Sequence, residues 1–346
     1  MPEPGHGRTA IAATDVDEAA ACAAARTTCV VIDRPDRAFV RVAGRDPVRM
    51  VNGLLTNDIA ATDAGHAVRA AMLTPKGRML AETRVIRRAD DLLIETDVTA
   101  IANVLATLTK YVPPLFAKGE DVSGTLRVVT LLGPASLATL ARVLGDATVA
   151  LVRDTGAAEA RFEDRPVIAL RTDRADSAGA DLVVPADMRD AIMQGLAAAG
   201  AVHGGPDTLE ILRIEAGEPR WGAELDESVI PLEAGLEDAM ISTTKGCYTG
   251  QEVIIRILHR GHVNRHLRGI LLDDAPVPAP GTELFREDAA KPMGQVTSAC
   301  ASPRMGRTIA LGYVRREVEP GSTLRLGEPG GRPARIVALP FTTGAA

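Results

Sequence analysis

Aromatic side chains make up only 3% of the 346 residues, and Trp221 is the sole tryptophan. That scarcity excludes a protein that binds single-stranded nucleic acid on a platform of stacked rings. Cysteines are few as well. The four, at positions 22, 29, 247 and 300, form no CxxC pair, which excludes a disulfide scaffold or zinc ribbon and points to a reducing compartment. Long apolar runs are missing: even 128–152 is broken by Arg142 and Asp146, so no membrane span is expected. The start lacks the marks of a targeting segment. Asp15, Asp17 and Glu18 precede its alanine-rich run, whereas a signal peptide opens basic and a transit peptide avoids acids. The chain reads as mature and cytoplasmic. Basic excess is also absent, with 39 Lys+Arg against 45 Asp+Glu, so there is no global attraction to phosphate backbones.

What is present suits a multidomain globular protein, with 46% hydrophobic and 24% charged residues over a length that ordinarily holds more than one domain. Residues 1–28 lack a sustained helical stripe and read as a flexible arm. Ala38, Val40 and Val42 alternate with Arg37, Phe39 and Arg41, which predicts a half-buried strand. Asp46 and Pro47 then open a helix expected to run to Thr56-Asn57-Asp58. Strands follow at 83–87 and 92–96, and Ile101, Val104, Leu105 and Leu108 give the next helix one apolar face. From about 120 to 200, strands and helices alternate in a compact α+β unit. Beyond Arg268, prolines and short strand candidates at 309–314, 323–326 and 334–339 predict a small closed β unit over 268–346.

The most distinctive local chemistry is Lys245-Gly246-Cys247-Tyr248-Thr249-Gly250-Gln251-Glu252, ahead of an apolar run at 253–258. Thr249 and Glu252 are spaced as a capping box, so a helix is expected to start at Gly250. A cysteine just before a helix N-terminus and two residues from a lysine is biased toward thiolate; the bland alternative is a small buried thiol in a glycine-shaped turn. Upstream, Arg213-Ile214-Glu215-Ala216-Gly217 closes a helix before Trp221. A carboxylate at such a bend can accept two parallel hydrogen bonds from a pterin edge, or can pair with Arg213 or Arg220 on a solvated face. Trp221 reads as core rather than a stacking surface. Arg256, Arg260, Arg265 and Arg268 with His259, His262 and His266 form a basic segment, readable as a phosphate or RNA contact, a solvated connector, or a zinc site that lacks further ligands.

These blocks carry a resemblance. KGCYTGQE at 245–252 resembles the signature of YgfZ-type folate-binding proteins, relatives of the glycine cleavage T-protein, and RIEAG at 213–217, PLEAGL at 231–236, Thr56-Asn57-Asp58 and Gly312-Tyr313-Val314 extend the likeness over about 30–340. The resemblance implies a three-domain T-protein-like fold: a folate-binding region at 29–260 containing a ferredoxin-like unit, and a C-terminal β-barrel, around a central tetrahydrofolate site. It implies an accessory protein whose partners are folate and iron-sulfur proteins or cluster assembly factors, with indirect effects on tRNA thiomodification. Cys247 and Lys245 would carry the reactive chemistry, and Glu215, Arg213, Trp221, Tyr248, Gln251 and Arg256 would line the folate site. T-protein relatives place an aspartate pair after a glycine turn where Leu80-Ala81-Glu82 stands here. Its absence favours the accessory role over tetrahydrofolate-dependent aminomethyl or one-carbon transfer, for which Glu82 is the remaining carboxylate. RNA binding through the basic segment is a third alternative.

Overall fold

The alternation at 37–42 produces strand Arg37–Ala43, which pairs antiparallel with Asp91–Asp97 on one side and Lys118–Asp121 on the other. In the computed structural model, which describes residues 17–172, 178–273 and 276–341, it belongs to a five-stranded sheet. Met79–Arg87 and Ala67–Leu73 complete that sheet beyond Asp91–Asp97. Helix Ile101–Tyr111 covers it, with Val104 and Leu108 buried as the apolar stripe requires.

A second sheet has six strands, in the order Val202–Gly204, Val30–Arg34, Leu126–Leu132, Gly179–Pro185, Arg165–Thr172, Ala157–Phe162. The α+β unit read at 120–200 therefore takes in two strands from outside that range. Val30–Arg34 lies between Leu126–Leu132, antiparallel, and Val202–Gly204, parallel. The C-terminal region is a closed six-stranded barrel in the order Arg265–Leu272, Arg307–Arg315, Pro292–Ser302, Glu283–Phe285, Thr323–Leu326, Arg332–Val337, and pairing of the last strand with the first closes it. The overall class is thus mixed α/β with a terminal barrel, as expected. The largest core joins the five-stranded sheet to the barrel through Leu271, Leu311 and Tyr313.

Three local readings are corrected. Residues 1–16 of the expected arm lie outside the described residues, but Glu18–Thr27 is a helix whose N-cap Asp17 accepts a hydrogen bond from the Ala20 amide at 3.0 Å. Ala21, Cys22 and Ala25 are small enough to let it pack closely on Leu212, so its stripe was hidden by side-chain size rather than absent. The helix opened by Pro47 stops at Asn52 instead of reaching Asp58. There Asn52 Oδ1 accepts the Ile59 amide at 2.8 Å and Asp58 Oδ1 the Ala60 and Ala61 amides at 3.1 Å, so side chains replace helical acceptors. Finally, Thr249 forms no capping box. Helix Gln251–Arg260 is capped by Gly250 at φ 84°, where a Cβ would fall 2.6 Å from the Thr74 carbonyl oxygen.

Candidate functional site

The turn at 33–37 links the six-stranded sheet to the five-stranded one, and a cavity of about 460 Å³ opens beside it. Its wall is completed by Glu82 from strand Met79–Arg87, by Asp207, Glu210 and Arg213 from helix Pro206–Ala216, and by Glu218 and Arg220 just beyond. Two elements aim these groups. Pro206 begins the helix, and Gly217 ends it at φ 74° against Leu339, where a Cβ would lie 2.7 Å from Leu339 Cδ2.

The wall is charged but ordered. Arg34 makes two hydrogen bonds to Asp36, at 2.9 and 2.7 Å. Arg37 Nε donates to Glu95 Oε1 at 2.7 Å, Arg84 Nε donates to Glu95 Oε2 at 2.7 Å, and Arg84 also donates to Asp181 Oδ2 at 2.7 Å. Thr130 Oγ1 closes the series onto Asp181 Oδ1 at 2.6 Å. All five members are buried, so a chain of paired charges runs from the cavity through one sheet into the other. Asp33 Oδ2 accepts Arg189 at 2.7 Å, whereas its Oδ1 is buried with no partner among the described residues. Such an acceptor on a cavity wall favours a ligand that brings an N–H. Glu82 is 7% exposed, and its Oε1 accepts Arg69 at 3.2 Å.

Of the candidate functional residues read in the sequence, Arg213 and Glu82 reach this wall, together with Arg220, which the sequence offers only as a partner for Glu215. Arg213 is fixed by Glu210, by Glu224 at 2.9 Å and by Ser298 at 2.5 Å. Burial opposes its charge, but Glu210 and Glu224 outweigh that and raise its pKa. Glu215 does not present a free carboxylate. One oxygen accepts Ser302 Oγ at 2.5 Å and the Arg304 amide at 3.1 Å, and the other pairs with Arg26. It fastens the first helix and the barrel to helix Pro206–Ala216, and its bonds run to Arg26, Ser302 and Arg304 rather than to Arg213 or Arg220. Trp221 is 7% exposed within the main core.

The octapeptide lies elsewhere on the five-stranded domain. Cys247 is exposed and Tyr248 buried, Gln251 opens helix Gln251–Arg260, and Arg256 is exposed on it. Lys245 is buried with its Nζ engaged by oxygens of 52–57 rather than by the cysteine. Burial pushes its pKa down to about 8, with Asp58 acting against the shift. His259 lies in the last turn of the helix, His262 follows it and His266 is on a barrel strand, so the three share no helix face. Among the described residues no group of three or more His, Cys, Asp or Glu is placed to hold a metal ion. The residues missed in the sequence were Asp33, Arg34, Asp36 and Arg37. Their signal was Asp-Arg-Pro-Asp-Arg, a run of charges between two apolar strands.

The cysteines divide sharply. Burial, with Glu215 second, raises the pKa of Cys22 to about 11 and that of Cys300 to about 12, and burial raises Cys29 to about 11. Under native conditions at pH 8, one thiol per chain should react promptly with an aromatic disulfide reagent and four in denaturant, and Cys247→Ala should leave none promptly reactive. More than one fast thiol in the native protein would contradict this burial. The buried thiols keep protons that the unfolded chain releases from about pH 9. Stability is therefore expected to fall as pH rises above that value.

Residues 12–245 match the GCVT N-terminal domain, and residues 265–342 match the glycine cleavage T-protein C-terminal barrel domain. The aminomethyltransferase of Saccharopolyspora erythraea is 28% identical over 326 residues, covering 92% of this chain and 88% of that one. The Bacillus subtilis aminomethyltransferase is 26% identical over 304 residues, covering 85% and 82%. The crystal structure of glycine cleavage system aminomethyltransferase T from Bartonella henselae has the same fold, with a TM-score of 0.81 at 19% identity over 94% of this chain and 90% of that one. No helix among the described residues is long and apolar enough to cross a membrane.

Proposed function

Because this chain belongs to the family of the GCVT N-terminal domain, continued by the glycine cleavage T-protein C-terminal barrel domain, we propose that its central cavity binds tetrahydrofolate or a one-carbon derivative for aminomethyl or one-carbon transfer. The observation that carries this reading is Glu82, a carboxylate on the cavity wall where the relatives' aspartate pair is otherwise missing. Relatives along nearly the whole chain bear the name aminomethyltransferase. The residues present suit a folate: the volume falls in the range of small-molecule sites, and Asp33 Oδ1, without a partner among the described residues, can accept from an amino-pyrimidine edge. Tetrahydrofolate supplies the nitrogen that accepts the one-carbon unit. Asp33 would orient the ring, Arg37 would be held rigid by Glu95, and Glu82 would take up or stabilise a proton at the reacting amine.

A second reading is favoured by Cys247. It is the one exposed cysteine, displayed by a YgfZ-like octapeptide, as a folate-binding accessory of iron-sulfur proteins would require. Under it, tRNA thiomodification is affected only through cluster enzymes.

Anaerobic calorimetry with tetrahydrofolate should give one site per chain, weakened about tenfold or more by Asp33→Asn. Equal affinity in that variant would remove Asp33 from the site, and absence of binding would end both readings. Ammonia release from an aminomethylated lipoyl carrier supports transfer. Rescue of cluster enzymes in a deletion strain, lost in Cys247→Ala at unchanged melting temperature, supports the accessory role.

A further inference from the structure

Lys245 is 8% exposed, yet among the described residues no carboxylate forms an ion pair with it. Its Nζ instead faces four oxygens: the Asn52 carbonyl at 2.6 Å, Asn52 Oδ1 at 3.1 Å, the Leu55 carbonyl at 2.8 Å and the Asn57 carbonyl at 2.8 Å. An ammonium has three protons to give, and this cage uses them all. The cage has a physical origin. Helix Pro47–Asn52 ends there, so the Asn52 carbonyl lies at the negative end of its dipole, and the turns that follow bring the Leu55 and Asn57 carbonyls to the same point. The Tyr248 ring supports the cation from a further side, its centroid 5.4 Å from Nζ.

The same two stretches are stitched together on either side of this cage. Thr56 Oγ1 donates to the Met240 carbonyl at 2.6 Å, the Ser242 amide donates to the Thr56 carbonyl at 3.1 Å, and the Thr249 amide donates to the Gly53 carbonyl at 3.2 Å. Lys245 and Tyr248 point inward, and Cys247 between them is exposed. Thr56-Asn57-Asp58 and Lys245-Gly246-Cys247, far apart in the sequence, are therefore one structural unit.

We propose that Lys245 is a positioning residue, whose ammonium locks the turn at 244–248 onto the end of helix Pro47–Asn52 and so fixes the outward display of Cys247. The proposal rests on the reading in which Cys247 acts. Activating the thiol or attacking a substrate would need Nζ to be turned toward another group, and every hydrogen bond it makes runs to 52–57.

Lys245→Met keeps the stem and removes the donors. Amide exchange at 244–248 should quicken about tenfold or more, as expected when charge-assisted bonds are lost in a local opening. Iodoacetamide labelling of Cys247 should change its rate, and Cys247-dependent rescue of cluster enzymes should fall. In Lys245→Ala the vacated cage should take methylammonium, which restores slow exchange saturably while potassium chloride of equal ionic strength does not. A measurement on the unsubstituted protein guards against unfolding of the variants: selective ¹⁵N labelling of lysine should reveal one slowly exchanging side-chain ammonium.

Unchanged exchange in Lys245→Met, equal effects of the two salts, or no protected ammonium in the unsubstituted protein would each overturn the proposal. Full rescue by Cys247→Ala would instead overturn the accessory reading, and the exchange data would still decide the role of Lys245.

Discussion

Glu82→Gln is expected to slow folate-dependent release of ammonia from an aminomethylated carrier by about 10²–10⁴-fold, the range for loss of a positioned acid or base. Tetrahydrofolate affinity should change little, because glutamine keeps the volume and an acceptor for Arg69, which bonds Glu82 at 3.2 Å. The discriminating measurement is single-turnover kinetics beside calorimetry. A variant that binds normally but transfers slowly establishes Glu82 as the carboxylate of the transfer. Equal rates in variant and parent would remove Glu82 from the chemistry, and a parent that never turns over would leave the accessory reading in its place.

The second large effect is structural. Glu95→Ala should destabilise the protein by about 3–5 kcal/mol, the usual cost of breaking a buried ion network by removing one partner. Glu95 is 1% exposed and accepts from both Arg37 and Arg84, which are 7% exposed, so the substitution takes a shared carboxylate from two buried guanidinium groups, Arg84 keeping its bond to Asp181 at 2.7 Å. Urea unfolding of Glu95→Ala and of the milder Glu95→Gln measures this. A loss below about 1 kcal/mol would mean that solvent reaches the network, since exposed pairs contribute only that much. Arg37 lies on the cavity wall. Ligand affinity should therefore fall in these variants before the global fold is lost.

Elements with a clean period were legible in the sequence. Strand Arg37–Ala43 and helix Ile101–Tyr111 follow their alternation and stripe, and the barrel follows from short strands separated by turns. Strand Pro292–Ser302 was not legible. Its register shifts between Val296 and Ser298, so the period of two breaks inside it.

The site was harder because partners are set by distant segments. Glu215 looked like a ligand-binding carboxylate, yet Arg26, Ser302 and Arg304 are brought to it only by the packing of three elements. Lys245 looked like a neighbour of Cys247, but its ammonium is claimed by carbonyls nearly two hundred residues earlier. Glu82 was legible as a nearby carboxylate, and its strand alone turns it to the cavity. The charges at 33–37 announced a polar turn without saying that it joins two sheets.

That junction also orders the folding of the chain. Every strand of the five-stranded sheet lies between residues 67 and 97 or in Arg37–Ala43 and Lys118–Asp121, so it can close once residue 121 has been synthesised. Val30–Arg34 has no partner in it. This strand, nearly all buried in the finished fold, must wait for Leu126–Leu132 and then Val202–Gly204 before both its edges are covered. During synthesis an apolar edge thus protrudes beside strands that have already found their partners, the kind of segment on which chains aggregate and chaperones act. Fragments ending near residue 121 would carry that edge permanently, while fragments beginning after Arg34 would cut Val202–Gly204 off from the rest of the six-stranded sheet.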